Sequence, residues 1–293
     1  MFSHSFLRGL LALLLLAGIG IAPAYAAESY DNCGSNFIVS LPAVISTQGT
    51  WCMNKDLATA ITSGNAITIS TNNVTIDCNN FKLGGLAAGF GTFTNGIFAT
   101  SKTGITIRNC NIRGFSVGAY FATSGSTVVV EDNAFYGNTV NAIAMINVDS
   151  SVIRNNRINT TGGSTAQSFA AAIYLDGGNT LVVRDNSISG VAPDASTTST
   201  AWGIYDTGLA AVVRGNDISG VLGSSSSGSA HGFGIELGLY GKALDNTVDN
   251  VNGGGAKIGV YCPSSTAFAK NTVASQLISA TSGCTDGGGN VKL

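Results

Sequence analysis

The sequence predicts an all-β solenoid, in which short parallel strands wind into a coil whose turns stack on one another. Three observations carry that prediction. A short pattern recurs along most of the chain at spacings of 23 to 31 residues. Each copy places an asparagine, or once a cysteine, two residues before a closing apolar residue. The composition suits strands and turns: 39 glycines, four prolines and 10% charged residues among 293, with 44% hydrophobic. An average domain carries about 25% charged residues. Solubility here must rest on Gly, Ser, Thr and Asn instead.

The chain opens with an address rather than a fold element. Arg8 precedes the apolar run 9–22, and Pro23-Ala24-Tyr25-Ala26 follows it. A basic start, a short apolar centre and an Ala-x-Ala exit read as a secretory signal over residues 1–26. The run is shorter than the roughly 20 apolar residues that span a bilayer, so no membrane span is expected in the mature chain. A secreted or periplasmic location follows. Fourteen basic against 16 acidic residues predict no nucleic-acid surface.

Residues 27–65 are expected to form an N-terminal cap, 66–277 the coil and 278–293 a C-terminal cap or tail. Six cysteines remain after export: Cys33, Cys52, Cys78, Cys110, Cys262 and Cys284. An even count in an exported chain argues for disulfides. Proximity in the sequence suggests Cys33–Cys52 and Cys262–Cys284 near the ends, leaving Cys78–Cys110 to bridge neighbouring repeats. No Cys-x-x-Cys pair or adjacent histidine suggests a metal site.

The clearest repeat is Val128-Val129-Val130-Glu131-Asp132-Asn133-Ala134-Phe135. It returns at Ser151–Ile158, Leu181–Ile188 and Ala211–Ile218, with looser copies ending at Phe81, Ile112, Val248 and Val273. The turn column reads Asn79, Cys110, Asn133, Asn156, Asn186, Asn216, Asn246 and Asn271. A second strand precedes each copy after the first, as in Gly203-Ile204-Tyr205 and Gly234-Ile235-Glu236, and it alternates with period two. Fixed strands with variable spacing mean one coil per repeat, with length differences absorbed in loops. A single coil cannot bury its apolar face, whereas stacking at ~4.8 Å makes a continuous core. Inward amides at the same turn can satisfy one another, because each has donors and acceptors.

These repeats, together with Asn72-Asn73-Val74-Thr75-Ile76-Asp77-Cys78-Asn79, resemble the pectin-lyase-like right-handed parallel β-helix proteins over roughly residues 66–275. The resemblance implies a single-stranded β-helix of about eight coils and three parallel sheets, with the Asn column between the second and third. That superfamily holds lyases, hydrolases, epimerases and non-catalytic surface proteins. His231-Gly232 is similar to the His-Gly pair of polygalacturonase-like enzymes. Their Asn-Thr-Asp, Asp-Asp and Arg-Ile-Lys partners are absent, as are the signatures of pectate lyases and alginate epimerases.

Three long loops, 160–168, 191–200 and 221–230, lead directly into consecutive Gly-Ile strands and should wall one side of that sheet. Function concentrates on such loops. The outward column there reads Phe98, Tyr120, Ala144, Tyr174, Tyr205, Glu236 and Tyr261. Aromatic faces along a groove suit the apolar C–H faces of sugar rings. Tyr174, Tyr205 and Tyr261 are therefore the expected platforms, with Asp176 and Lys257 beside them. Asp206 and Glu236 are the candidate acid and base for glycoside hydrolysis, and His231 an auxiliary proton carrier. Asp206 follows outward Tyr205, so it either points inward or sits at the strand-ending bend. Carboxylates could alternatively hold Ca²⁺ against an acidic sugar while a base drives β-elimination. The expected partner is a polysaccharide and the expected state a monomer. The competing reading is a structural or adhesive rod, with the tyrosines merely stacked.

A second stripe, Arg108, Glu131, Arg154, Arg184 and Arg214, shares one outward position on the Val-Val strands. Three successive arginines at ~5 Å repel unless acids such as Asp132, Asp185 or Asp217 screen them.

Overall fold

A computed structural model describes residues 33–194, 199–224, 230–263, 268–273, 279–288 and 290–292. The expected export segment, with Arg8 and Ala26, lies outside the described residues, as do the loop tips 195–198 and 225–229.

The described chain is a stack of rungs in which every inter-strand pairing between named strands is parallel. The Gly-Ile strands form a first sheet of ten, from Ala43–Ile45 to Ser279–Ser282. The Val-Val strands form a second column and the strands after the Asn turn a third. These two join into one hydrogen-bonded sheet, because Lys242–Asn252 runs unbroken through the turn. It pairs with Val212–Arg214 at one end and Asp217–Leu222 at the other.

Stacking begins earlier than Ala66. Ala43–Ile45 pairs with Ser63–Ile69, and Gly49–Met53 with Val74–Asp77, so the segment expected as a cap already contains a rung. Residues expected as a tail also pair, Ser279–Ser282 against Lys257–Tyr261. The ten strands of the first sheet thus exceed the eight or so coils that the repeat suggests.

The core is three aligned apolar columns. Ile97, Ile143, Ile173, Ile204, Ile235 and Val260 come from the first sheet. Ile107, Val130, Ile153, Val183 and Val213 come from the second, and Ile112, Phe135, Ile158, Ile188 and Ile218 from the third; all are buried. Burying each such side chain contributes about 1.5–3 kcal/mol, which offsets the entropy of ordering a rung only when neighbours stack.

The turn column is a continuous ladder. Each Oδ1 accepts both the backbone N–H and the Nδ2–H of the preceding rung's asparagine, at 2.8–3.1 Å from Asn133 through Asn156, Asn186, Asn216 and Asn246 to Asn271. Asn290 extends it by accepting from the backbone N–H of Asn271. At the other end Cys110 N–H donates to Asn133, and a disulfide ties Cys110 to Cys78 on the rung before. Cys33–Cys52 and Cys262–Cys284 are also paired, as the sequence suggests. Closing loops of 19, 32 and 22 residues stabilises the fold by about 3–4 kcal/mol each on chain-entropy grounds.

The arginine stripe exists in register and is mostly acid-paired. Arg108 holds the buried Asp77 at 2.8 Å, Arg154 bonds Glu131 and Arg184 bonds Asp185. Of the three acids the sequence offered as screens, Asp185 is the one seen engaging an arginine; Asp77 and Glu131 take the others.

Candidate functional site

The outer face of the first sheet carries the candidate site. Its strands alternate as far as a small residue, then break step. In Thr200–Asp206, Ala201, Gly203 and Ile204 are buried, while Trp202 and Tyr205 face outward. A Cβ on Gly203 would lie 2.5 Å from the carbonyl oxygen of Gly234 and 2.6 Å from Ile218 Cγ2, so only glycine fits there. The consequence is two outward columns rather than one.

The first column is the expected one, since Tyr120, Ala144, Tyr174, Tyr205, Glu236 and Tyr261 are successive register partners. The second reads Asn65, Asn95, Val117, Asn141, Ala171, Trp202 and Phe233. It changes from amides to aromatics beside the long loops. Sequence reasoning missed Trp202 and Phe233, although each is an aromatic immediately before a Gly-Ile pair, as well as Phe169.

The rings form one connected array. Tyr174 and Tyr205 stack at 4.8 Å with planes 12° apart, and Trp202 meets Tyr205 edge-on at 5.1 Å. Phe169 lies 5.7 Å from Tyr174 and 6.3 Å from Trp202, while Phe233 bridges Trp202 and Tyr261 at 6.2 and 5.2 Å. Because Tyr174 and Tyr205 cover each other's facing surfaces, they offer edges and hydroxyls more than open faces. The open space lies beside them, a hollow of about 330 Å³ lined by Ser168, Phe169, Tyr174, Thr200, Trp202 and Tyr205. Ser168 and Thr200 are the feet of two of the long loops.

Burial, with the neighbouring Tyr174 and the charges of Glu236, Asp176 and Asp206, pushes the Tyr205 hydroxyl up to about 12. Tyr174 is raised for the same first reason. Both hydroxyls therefore stay protonated and can donate hydrogen bonds.

The acidic residues separate. Glu236 is half-buried in the outward column, and its Oε2 accepts the Trp202 Nε1–H at 2.7 Å. Burial raises its carboxyl above the ordinary value, the indole bond opposes the rise, and Asp206 adds to it. Asp206 is wholly buried. Its two oxygens accept the backbone N–H groups of Gly208 and Gly238, each at 3.0 Å, so it ties the strand-ending bends of two rungs together. It thus both points inward and sits at the strand-ending bend, the two readings open to it in the sequence, and the expected Asp206–Glu236 acid–base pair is not presented to the groove. Asp176 is half-exposed and accepts the Thr207 hydroxyl at 2.8 Å. It sits two rungs from Glu236, ~10 Å along the stack, with a further offset along the strand.

His231 donates nothing through Nδ1, which accepts the Ala256 N–H at 2.8 Å. In its neutral form the ring must therefore carry its proton on Nε2, where it can donate but not abstract. His231 also packs 5.7 Å from Phe233, at the edge of the array. Lys257 opens the neighbouring strand opposite Gly232. Among the described residues no three His, Cys, Asp or Glu side chains converge as a metal site. Among the same residues no helix is long and apolar enough to cross a membrane.

Burial of Glu236 has a measurable consequence. The folded protein keeps this proton at pH values where the unfolded chain has released it. Its stabilising contribution is complete below the ordinary value of 4.5 and is lost as pH rises through the elevated folded value. Glu236→Gln keeps an acceptor for Trp202 and removes the titration. The variant is expected to melt progressively higher than the wild type as pH rises from about 4 to about 8. Parallel melting curves would refute the assignment.

A parallel coil with an inward amide ladder and one aromatic, acidic outer face is a β-helix. Residues 59–218, more than half of the chain, match the family described as the right-handed β-helix region, and the chain belongs to that family. Comparison with curated proteins finds no match. Among solved structures, the Dettilon tailspike protein is 14% identical over 87% of this chain and 58% of its own, with a TM-score of 0.42. The catalytic domain of GH87 α-1,3-glucanase in complex with nigerose is 14% identical over 87% of this chain and 62% of its own, at 0.45. Endopolygalacturonase I from Stereum purpureum, complexed with galacturonate, is 15% identical over 90% and 93%, at 0.34. The chain thus spans about 60% of the length of the first two.

Proposed function

We propose that this protein is an exported polysaccharide-binding β-helix whose ligand lies along the outer face of the first sheet. The observation that carries the reading is the hollow between Phe169, Trp202 and the Tyr174–Tyr205 stack. Its walls supply apolar ring surface, and its rim supplies the Ser168, Thr200 and tyrosine hydroxyls, the combination that a sugar's apolar faces and polar edges require. Three disulfides and the Ala-x-Ala exit support an oxidising, extracytoplasmic location.

Binding is better supported than cleavage. Hydrolysis by two carboxyl groups needs them about 5–9.5 Å apart across the scissile bond. Glu236 suits the acid, being half-buried and raised, but Asp206 is sealed in the interior and Asp176 is two rungs away. His231 offers a donor rather than a base. The test is a panel of neutral and uronate oligosaccharides, scored for a rise in melting temperature and then for reducing ends or unsaturated products. A ligand that binds only the folded form must raise the melting point. No shift with any member would leave the rod reading in its place.

A further inference from the structure

A different face of the coil carries a second hollow, of about 440 Å³, over the outer surface of the third sheet. One outward column there reads Lys82, Asn111, Ala134 and Arg157, and the next reads Gly84, Arg113 and Tyr136. Ala134, between Asn111 and Arg157, keeps the floor low, and Gly84 does the same beside Arg113. The small residues leave room, and long cationic side chains surround it.

The charges are unevenly satisfied. Lys82 Nζ pairs with Asp56 at 2.8 Å, and Asp56 also accepts the Lys82 backbone N–H at 2.9 Å. Lys82 and the neighbouring Arg113 hold the Asp56 carboxyl below its ordinary range. Asn111 donates its amide to the carbonyl of Asn80. Neither Arg113 nor Arg157 forms an ion pair among the described residues, and the Arg113 Nε–H is buried with no acceptor. A buried charged donor without a partner costs more than a neutral one, about 1–3 kcal/mol or above. An oxyanion entering the hollow would satisfy it. Against one acid, three cations converge in a protein whose overall charge is −2.

We propose that this hollow is a second saccharide site, selective for sugars bearing a carboxylate or sulfate group. The guanidinium of Arg113 supplies a forked, charge-assisted donor for the oxyanion, and Arg157 approaches from the next rungs. Tyr136, 52% exposed beside Arg113, gives the sugar ring a surface to lie on. The volume favours a saccharide over a free inorganic anion, because it falls within the roughly 300–1,000 Å³ of sites that hold whole organic ligands. The site is separate from the aromatic hollow on the first sheet and does not need that hollow to be occupied.

The test is calorimetry at low salt with tetragalacturonate, neutral cellotetraose and sodium sulfate, on the full-length wild type and on full-length protein carrying Trp202→Ala, in which the first hollow is weakened. Tetragalacturonate is expected to bind, cellotetraose not, and added salt to weaken the binding. Arg113→Gln with Arg157→Gln should weaken it at least tenfold. Arg157→Gln alone, at an exposed position, should weaken it at least threefold and serves where the double variant melts early. Undiminished binding by the folded variants, or no tetragalacturonate binding at all, overturns the proposal. Sulfate bound as tightly as tetragalacturonate does so too, as an adventitious ion only. Cellotetraose or tetragalacturonate affinity that depends on Trp202 alone reports on the first sheet and leaves this hollow without its ligand.

Discussion

Replacing Trp202 with alanine is expected to weaken oligosaccharide binding by about 30-fold or more. Truncating a central tryptophan in a binding site commonly costs ~2 kcal/mol or above, and each 1.4 kcal/mol is tenfold in affinity. Trp202 is placed to be that residue. It walls the hollow, meets Phe169, Tyr205 and Phe233, and its indole N–H fixes Glu236. Removing so large a ring also loosens the array, so Trp202→Phe is the necessary companion. Phenylalanine keeps a ring face and loses the bond to Glu236. It should retain most of the affinity while letting the Glu236 carboxyl rise further, because the one interaction opposing burial is gone. Titration calorimetry with the best ligand of the panel reads the first effect, and a pH series of melts reads the second. A Trp202→Ala protein that is folded and binds as the wild type does would remove the first sheet from consideration.

Asn186→Ala is expected to destabilise the fold by about 3–5 kcal/mol, among the largest effects of any polar substitution. Asn186 Oδ1 accepts two N–H groups from Asn156, and its Nδ2 donates to Ile153 O, Arg184 O and Asn216 Oδ1. Alanine leaves the buried Asn156 N–H without an acceptor and Ile153 O without this donor. Each such orphan costs about 1–3 kcal/mol in a column this buried. Asn159→Ala is the control, because that residue is exposed on the third sheet and should change stability by about 0.5 kcal/mol or less. Urea unfolding of both, compared at equal slope, checks the difference. Equal midpoints would mean that the ladder is decorative.

The rungs were legible because their signal is redundant. Asn156, Asn186 and Asn216 recur with an apolar residue two places on and a Val-Ile or Val-Val pair before, and three independent features agree at each copy. The first rung was hidden because Asn54, which follows Trp51-Cys52-Met53 in register with Asn79, has Asp56 two places on instead of the apolar residue that marks later copies. The site was half legible. Period two finds Tyr174, Tyr205, Glu236 and Tyr261, but it assigns Trp202 and Phe233 to the wrong phase. The step at Gly203 and Gly234, imposed by a carbonyl of the next rung 2.5 Å from where a Cβ would sit, resets the alternation. Asp206 shows a different limit. Its position at a strand end leaves the direction open, and only the two glycine N–H groups that receive it decide the matter. The arginine pairings were equally out of reach, since Asp77 meets Arg108 from 31 residues away.

The ladder has a further consequence for how such a chain can change in length. The segment from Ser187 to Asn216 begins just after one ladder amide and ends on the next, 30 residues along. A tandem copy of it would find above and below itself the same donors, acceptors and apolar contacts that the original meets. The molecule is in this sense modular, and duplication extends it by ~4.8 Å without altering either terminus. The same copy carries another Trp202 and Tyr205, so growth of the scaffold and growth of its aromatic outer face come as a single genetic event.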